Sequence, residues 1–398
     1  MKPLQGVRVL DLTQILSGPY ATQMLADLGA EVIKIEQPGG DKSRQTGPFV
    51  QGRSTYFASV NRGKQSVVLN LKTMAGRQVF YDLVQRSAVV VENFRPGVAD
   101  RLGVGFETLR QKNPTVIYAA CSGFGQTGPR ADQPALDIII QALAGTMSVT
   151  GEVNGEPLRV GFSVGDLGAG LYLTVAILAA LQQNARDPQA ISVDLSMLDT
   201  QVALLENAYA RYFATGEIPG PLGSRHPVIA PFQCFQAADG PFVVAASTDA
   251  QWNALVDAIE RPDLAIDRRF RTASFRSREA LALAQILNDV FAKRPVAEWV
   301  SRLEAAGVPV GRVNTVAQAA DDERLITRKM FTSAKFGPTT VKVVGSPLRF
   351  NGQPCEAEPQ VPNLNQHQSQ VLTGLLNYDA KTIQRLQKEG AFEWPPEP

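Results

Sequence analysis

Residues 6–36 read GVRVLDLTQILSGPYATQMLADLGAEVIKIE, and this stretch decides the fold. Its pattern predicts a strand over 6–12, a loop and helix over 13–30, and a second strand over 31–36. Strands joined through a helix pair in parallel with a right-handed crossover. Further strand patterns occur at 66–71, 88–93 and 115–123, with helical patterns between them at 73–87 and 101–112. The N-terminal part is therefore predicted to be an α/β domain that binds its ligands at the carboxyl ends of the strands.

A second stretch, residues 159–181, presents one carboxylate at the start of an apolar segment, RVGFSVGDLGAGLYLTVAILAAL. From Leu167 onward the segment is too long for a strand, so it predicts a buried helix with Asp166 at its N-cap. Gly165, Gly168 and Gly170 surround the aspartate, and each glycine costs a helix about 1 kcal/mol relative to alanine. A bulky ligand that approaches the backbone closely would explain this loss. The simpler alternative is that Asp166 only caps the helix.

The composition is typical of a cytoplasmic enzyme. The 398 residues include 39 basic and 38 acidic side chains, a formal net charge of +1, so neither a nucleic acid nor a membrane is indicated as a partner. The opening MKPLQGVRV lacks the apolar region of a signal peptide. The longest apolar run, about 14 residues, is shorter than the roughly 20 that span a bilayer. We therefore expect a soluble, cytoplasmic protein.

Residue counts exclude several kinds of site. The three cysteines, at positions 121, 234 and 355, are scattered, so they are expected to be structural thiols rather than disulfides or a CxxC zinc site. Only His226 and His367 are available, too few for zinc sites or histidine relays, and no metal is expected. The GxSxG motif of serine hydrolases does not occur.

A nominal GxGxxG fingerprint occurs at Gly123, Gly125 and Gly128, directly after a predicted strand. Pro129 and Pro134 follow, and no helical pattern opens there. Because a dinucleotide site needs the glycines to lead into a helix, the motif instead predicts a turn near the ligand site.

The composition changes again at residues 216–232, GEIPGPLGSRHPVIAPF, whose prolines and glycines are typical of a linker or an active-site loop. Before it, a strand leads into one long helix that ends at Gly216; after it, strand and helix patterns start again. The predicted division has a large α/β domain made of 1–200 and 330–398, a helix and linker over 201–232, and a small domain over 233–329.

Seven segments of the chain resemble the class III coenzyme A transferases, which include formyl-CoA transferase and the carnitine and dicarboxylate CoA-transferases. In chain order they are LDLTQILSGPYATQMLADLGAEVIKIE, NRGKQSVVLNLK, VENFRPGVADRLG, NPTVIYAACSGFGQTGP, GDLGAGLYLTVAILAAL, GSRHPVIAPF and AGVPVGRV. The resemblance implies a Rossmann-like large domain built from both chain ends and a smaller α/β domain inserted between them. It also implies an obligate homodimer whose subunits interlock like linked rings, with coenzyme A as cosubstrate.

The resemblance identifies Asp166 as the nucleophile. A carboxylate can attack an acyl-CoA thioester, form a mixed anhydride and then an aspartyl-CoA thioester, and serve as the leaving group when the sequence is reversed. At an ordinary pKa near 4 it is already ionised, so no histidine base is needed. The backbone N–H groups around Gly165, Leu167 and Gly168 are the expected donors to the tetrahedral oxyanion, and Gly165 and Gly168 are expected to contact substrate.

Other site residues are implied by their match to family positions. For CoA these are Leu16, Ser17, Leu69, Lys72, Asn93, Phe94 and Arg101. Arg101 is expected to pair with a phosphate; without the resemblance, a solvated side chain would be the simpler interpretation. For the substrate they are Tyr56, which matches a tyrosine near the family's active site, and Arg225, a candidate for the remote carboxylate of a dicarboxylate.

The sequence departs from the family in two places. Gln37 stands where formyl-CoA transferases have an arginine for the nucleotide, and Leu136 stands before Asp137 where the family has tyrosine. In the related α-methylacyl-CoA racemases a histidine base falls at Leu136, so two-base proton exchange lacks one partner here. A CoA-transferase that acts on a short dicarboxylic acid such as oxalate or succinate is predicted; the alternatives are a racemase-like enzyme and a noncatalytic CoA-binding protein.

Overall fold

The computed structural model of the protein describes residues 2–393. Its strands are β1 (Arg8–Asp11), β2 (Glu31–Glu36), β3 (Phe49–Val50), β4 (Arg53–Ser54), β5 (Gln65–Val68), β6 (Val89–Glu92), β7 (Ile117–Ser122), β8 (Ile191–Ser196), β9 (Phe232–Ala237), β10 (Gly240–Ala245), β11 (Val310–Arg312), β12 (Phe331–Phe336), β13 (Thr339–Val344), β14 (Arg349–Phe350), β15 (Gln353–Pro354) and β16 (Gln360–Val361). Its α-helices are α1 (Ser17–Asp27), α2 (Thr55–Asn61), α3 (Met74–Val84), α4 (Val98–Arg101), α5 (Phe106–Lys112), α6 (Asp137–Leu143), α7 (Val164–Asn184), α8 (Met197–Leu204), α9 (Glu206–Thr215), α10 (Asp249–Ala258), α11 (Asp263–Ile266), α12 (Ala273–Arg278), α13 (Ala280–Phe291), α14 (Val296–Ala305), α15 (Val316–Ala320), α16 (Glu323–Thr327) and α17 (Ala380–Lys388).

Six strands form one parallel sheet in the order β5-β2-β1-β6-β7-β8, which confirms the predicted α/β class. At its centre, Val9 of β1 lies opposite Val32 of β2 on one side and Val89 of β6 on the other. The chain winds outward from β1 in one direction and, from β6 onward, in the other. Ligands of such sheets bind outside the carboxyl ends of the strands at this reversal, where the loops after Asp11 and Glu92 begin.

Helices cover both faces of this sheet. On one face, α3 and α5 bury Phe80 and Leu109 against the strands, and on the other, α1 and α7 bury Leu25 and Leu173. Strands that are buried on both faces need apolar residues at successive positions, which explains why β6 reads as an unbroken apolar run up to Glu92.

The chain divides into two compact units. The first unit comprises Met1–Thr146, Arg159–Gly216 and Glu323–Pro398, and it contains the parallel sheet and a small mixed sheet, β13-β12-β16. The second unit comprises Met147–Leu158 and Glu217–Asp322, with the antiparallel sheet β11-β10-β9. In the core of the second unit, α13 and α14 bury Phe291 and Trp299, whose rings meet edge to face at 5.2 Å.

Two predicted helices are interrupted. The single helix expected over 101–112 is α4 and α5, separated by Gly103, whose φ of +73° a helix cannot accommodate. The long helix expected to end at Gly216 is α8 and α9, which meet at Leu205. The glycine-rich segment after β7 is a turn, as predicted, with Gly125 and Gly128 at positive φ.

The sequence predicts no segment long enough to span a bilayer. By length and composition alone, however, α7 is long and apolar enough to do so. The count of about 14 apolar residues was too short because small and polar residues extend the helix to 21 residues. A core helix of a soluble protein meets the same criterion, and α7 packs along α1 with Leu173 and Ile177 buried.

Candidate active site

A cleft of about 390 Å³ opens at the carboxyl ends of the parallel strands, beside the reversal between β1 and β6. The start of α7, the loop after β1 and the loop after β6 all contribute to it. The residues in its lining that the sequence had predicted as site residues are Leu16, Ser17, Asn93, Phe94 and Asp166. The fold therefore brings the expected nucleophile together with two pairs of predicted residues that are far from it in the chain.

Asn93 fixes the loop after β1. Its Oδ1 accepts the Gln14 N–H at 2.8 Å, and its Nδ2 donates to the Gln14 carbonyl at 2.8 Å and to Ser17 Oγ at 3.3 Å. Ile15, which lies between Gln14 and Ser17 in the chain, has a φ of +68°, a strained conformation for a β-branched residue. Its N–H donates to Asp41 Oδ1 at 3.3 Å. The side-chain amide that was predicted to bind CoA thus holds the loop that lines the cleft.

The predicted N-cap position of Asp166 is wrong. α7 begins at Val164 after Ser163, so Asp166 is the third helical residue, and the Ser163 side chain caps nothing. The amide of Gly165 donates instead to Asp137 Oδ1 at 2.8 Å, and that of Asp166 to the same oxygen at 3.4 Å. A carboxylate from α6 therefore does the capping, which leaves the Asp166 side chain without a capping role.

The ionisation of Asp166 also differs from the expectation. Burial, and after it the charge of Asp137, raise the pKa of its carboxyl, a hydrogen bond with the Ser17 hydroxyl opposes both, and the resulting pKa is about 7. The sequence-based value near 4 was wrong because the packing of α1, α6 and α7 around the side chain removes water that a surface aspartate would have. A carboxylate with a raised pKa is more basic and a better nucleophile than an exposed one, provided that it is ionised.

The three glycines beside Asp166 lie close to other parts of the protein, which gives an explanation for them that needs no ligand. A Cβ on Gly165 would lie 2.9 Å from Asp137 Oδ1, one on Gly168 2.8 Å from a Leu204 methyl, and one on Gly170 2.8 Å from the Ser17 carbonyl. The glycines therefore let α7 pack closely on α6, α8 and α1, respectively. Close helix packing explains their helix-propensity cost without a ligand.

Two of the expected oxyanion donors are already engaged. The Gly165 N–H donates to Asp137, and the Leu167 N–H donates to the Ser163 carbonyl at 2.9 Å. A different donor lines the cleft: Ser122, at the end of β7, is buried, and its Oγ has no hydrogen-bond partner among residues 2–393. The signal that could have identified it is a hydroxyl at the carboxyl end of an otherwise apolar strand, where ligands of parallel sheets bind.

A second cavity, of about 280 Å³, shares Gln14 and Phe94 with the cleft. Leu69 and Lys72, both predicted to bind CoA, line it, and so does Gln37. Phe94 is held in place by Glu92, whose carboxylate accepts its N–H at 2.6 Å. The two cavities are therefore adjacent, with Gln14 and Phe94 between them.

Arg101 does not line either cavity. It is exposed at the end of α4, whereas Val98 and Leu102 line the second cavity. Tyr56 is close enough to Asp166 for that charge, after burial, to raise its pKa. Arg225 belongs to the second unit, where its N–H donates to the Leu222 carbonyl at 3.2 Å.

No group of three or more His, Cys, Asp or Glu side chains that could hold a metal ion occurs within residues 2–393. Cys121 lines the cleft, and burial raises the pKa of its thiol to about 12, so it is a poor nucleophile at neutral pH. Among the side chains of the cleft, the Asp166 carboxylate is the group best suited to attack an acyl carbon.

The chain is similar to curated enzymes over nearly its full length. It is 43% identical over 367 residues to the acetyl-CoA:oxalate CoA-transferase of Acetobacter aceti, with 92% of this chain and 93% of that one covered. It is 38% identical over 391 residues to the succinyl-CoA:mesaconate CoA-transferase of Haloarcula hispanica, with 94% and 96% covered.

A solved structure is similar as well. The CAIB/BAIF family protein from Brucella suis matches with a TM-score of 0.83 and 36% sequence identity, and the match covers 94% of this chain and 99% of that one. The model of CoA-transferase family III matches residues 4–368. This chain therefore belongs to CoA-transferase family III and is a CoA-transferase.

Proposed function

We propose that this CoA-transferase moves coenzyme A from a short acyl-CoA to a small dicarboxylic acid, with Asp166 as the nucleophile. The observation that carries the proposal is the largely buried Asp166 carboxylate in a cleft that the unpartnered hydroxyl of Ser122 also lines. The similar enzymes named above act on oxalate and mesaconate, which are both dicarboxylic acids. Oxalate and succinate are the first acceptors to test.

The reaction balances without an external base. An Asp166 oxygen attacks the thioester carbon, the C–S bond breaks, and CoA leaves as the thiolate with a mixed anhydride on Asp166. The thiolate then attacks the aspartyl carbonyl, which releases the donor acid as its carboxylate and leaves an aspartyl-CoA thioester. The acceptor carboxylate reverses these steps, so Asp166 ends as the carboxylate with which it began.

Each attack forms a tetrahedral oxyanion, and we assign Ser122 as a donor to it. Its buried hydroxyl has no partner in the described part of the chain, and an unsatisfied buried donor costs about 1–3 kcal/mol. A ligand oxygen in the cleft would satisfy it. The amides of Gly165 and Leu167 are engaged elsewhere and are not proposed for this role.

Coenzyme A would extend from the cleft into the second cavity, with its thiol end at Asp166. Leu69, Phe94 and Leu102 offer apolar surface there, and Lys72 offers a charge for a phosphate. Leu16 and Ser17 line the thiol end. Arg101 stays a proposed phosphate partner at the outer edge, because its exposed side chain follows the cavity residue Val98 on α4.

Acceptor recognition is proposed to use Tyr56 near Asp166 and Arg225 for the remote carboxylate. If Arg225 has this role, Arg225→Gln lowers kcat/KM for oxalate or succinate much more than for acetate, and Arg225→Lys restores part of the difference. An equal loss for both kinds of acid rejects the assignment. Leu136, exposed in the cleft, has no titratable group, so a two-base racemase mechanism is not supported.

The protein is proposed to form a homodimer and to be located in the cytoplasm. Large apolar side chains on α6 and α7 are exposed in the single chain, and contiguous apolar surface of this kind is typical of protein interfaces. Examples are Leu143, Leu171 and Val175, which are 48, 50 and 64% exposed. The large α/β domain is proposed to combine both chain ends, with the smaller domain inserted between them.

The test is to identify the residue that becomes acylated. The enzyme is incubated with succinyl-CoA or acetyl-CoA and then with hydroxylamine, which converts an aspartyl anhydride or thioester to a stable hydroxamate. Peptide mass spectrometry should place this mark on Asp166, and Asp166→Asn should carry none. Product formation by the wild type with no mark on Asp166 contradicts the mechanism.

A further inference from the structure

Asp137 begins α6 and is buried, and its carboxylate receives hydrogen-bond donors on both oxygens. Oδ1 accepts the N–H groups of Gly165 at 2.8 Å and Asp166 at 3.4 Å, while Oδ2 accepts Gln141 Nε2 at 2.7 Å. The guanidinium of Arg159 lies 3.9 Å from Oδ2, an ion-pair distance rather than a hydrogen bond. An acceptor-only carboxylate fits this pattern of donors.

These contacts fasten the segment that carries the nucleophile. Gln141 extends the network, because its Oε1 accepts the Val160 N–H at 2.9 Å. Residues 159–166 are therefore attached to α6 near their beginning, through Val160 and Arg159, and at their end, through Gly165 and Asp166. Since Ser163 supplies no side-chain cap, Asp137 satisfies the amides of Gly165 and Asp166, while the Val164 N–H donates to the Phe162 carbonyl at 2.9 Å.

We propose that Asp137 is a positioning residue that sets both the orientation and the reactivity of Asp166. Its hydrogen bonds hold the first turn of α7, and its charge opposes the charge of the Asp166 carboxylate. When Asp166 becomes an anhydride or thioester its charge disappears, so the repulsion is relieved in the acylated states. Asp137 thereby favours acylation of the neighbouring carboxylate. The inference rests on the proposed role of Asp166 as nucleophile.

Several packed elements contribute charged or titratable side chains around Asp166. Asp137 on α6, Tyr56 on α2 and Cys121 on β7 interact with it, while α1 contributes the Ser17 hydroxyl and α8 contributes Met197 to the cleft. The cations Lys42 and Arg95 also line the cleft, but neither is among the groups that shift the pKa of Asp166. Tyr56 and Cys121 are neutral near pH 7, since burial raises the pKa of both. Asp137 is thus the side chain whose removal should alter the titration of Asp166.

The test is the pH profile of kcat/KM for the Asp137→Asn variant, with Asp137→Ser as a second variant that keeps an acceptor for the Gly165 amide. The wild-type rate should fall below about pH 7, where Asp166 becomes protonated. In Asp137→Asn this acid limb should move down by about one pH unit, because a neighbouring negative charge is gone. The plateau at high pH should fall about 100-fold, because the nucleophile is less basic and less well held. Asp132→Asn, an exposed position in the loop before α6, is the matched control and should match the wild type.

A purely structural role predicts another result. In that case Asp137→Asn and Asp137→Ser lower the melting temperature and the plateau, but the acid limb stays at its wild-type pH, and this outcome overturns the proposal. An unchanged plateau and limb also overturns it. Hydroxamate labelling of the wild type separates this failure from that of the proposed function: Asp166 is still marked if only the inference about Asp137 is wrong.

Discussion

The helices α17 and α7 of the first unit each have an aspartate at or near their start, and the surroundings shift the pKa of the two carboxyls in opposite directions. Asp379 is the N-cap of α17, is exposed, and accepts the Thr382 N–H at 2.8 Å, which lowers its pKa. Asp166 lies in the first turn of α7, largely removed from water and beside Asp137, and its pKa is raised to about 7. A carboxylate that caps its helix is stabilised in its charged form, whereas one that is to react is left without that stabilisation.

The two helices differ in the origin of the carboxylate that caps their first amides. α17 is capped by its own sequence, and α7 is capped by Asp137, which precedes Gly165 by 28 residues. The remote cap satisfies the amides of Gly165 and Asp166 and keeps the Asp166 side chain available to the cleft.

The largest effect is expected for Asp166→Ala, which should abolish CoA transfer, because the nucleophile is lost. Asp166 accepts no capping hydrogen bond from the amides of α7, so the variant should fold and should bind free CoA with nearly the wild-type Kd. Activity assays, circular dichroism and calorimetric CoA binding check this. Normal turnover per folded molecule in the variant would make Asp166 structural, like Asp379.

The second-largest effect is expected for Ser122→Ala, which should lower kcat by about 100-fold and change KM for the acyl-CoA little. Loss of one oxyanion donor has an effect of this size, and the hydroxyl has no partner in the described chain that would be left unsatisfied. Steady-state kinetics with succinyl-CoA measure it. Ser122→Thr, which keeps the hydroxyl, is the control, and equal losses in both variants would point to packing instead.

The pH dependence of stability should have opposite signs at the two aspartates. Because the pKa of Asp166 is raised in the fold, its stabilising contribution to the free energy of unfolding is fully present below about pH 4. This contribution is lost as the pH rises toward about 7. Asp166→Asn should therefore match the wild type at pH 4 and be more stable above pH 7, by at most about 4 kcal/mol. Denaturant melts at both pH values measure the difference. A variant less stable than the wild type at pH 8 would show that the Asp166 charge is stabilised in the fold.

The smallest effect is expected for Asp379→Ala. Because the pKa of Asp379 is lowered in the fold, its stabilising contribution to the free energy of unfolding is present above pH 4 and is lost as the pH falls. The variant should therefore melt slightly below the wild type at pH 7 and at the same temperature as the wild type in acid. CoA transfer should be unchanged. Thermal melts and the standard assay test both statements, and Asp379→Asn, which can still cap, should restore the melting temperature. A loss of activity at constant stability would contradict the division between a structural and a reactive aspartate.

Much of the fold follows from local pattern. The apolar strands β1, β2, β6 and β7, each followed by a helical segment, predict the parallel sheet, and the structure confirms it. The breaks at Gly103 and Leu205 were missed because helical propensity on both sides of a short interruption reads as one continuous helix. The family assignment is confirmed by the comparisons, and the roles of the individual site residues stay predictions.

Residue patterns alone identify one carboxylate, Asp166, at the start of a long apolar helix, and they identify the chain as a family III CoA-transferase. The surroundings of that carboxylate depend on the tertiary structure. The Asp137 cap and the packed glycines join segments that are 28 residues or more apart in the chain, Ser122 precedes Asp166 by 44 residues, and burial by several elements together raises the Asp166 pKa. Local residue patterns contain no information on such distant neighbours, and it is the neighbours that set solvation and charge.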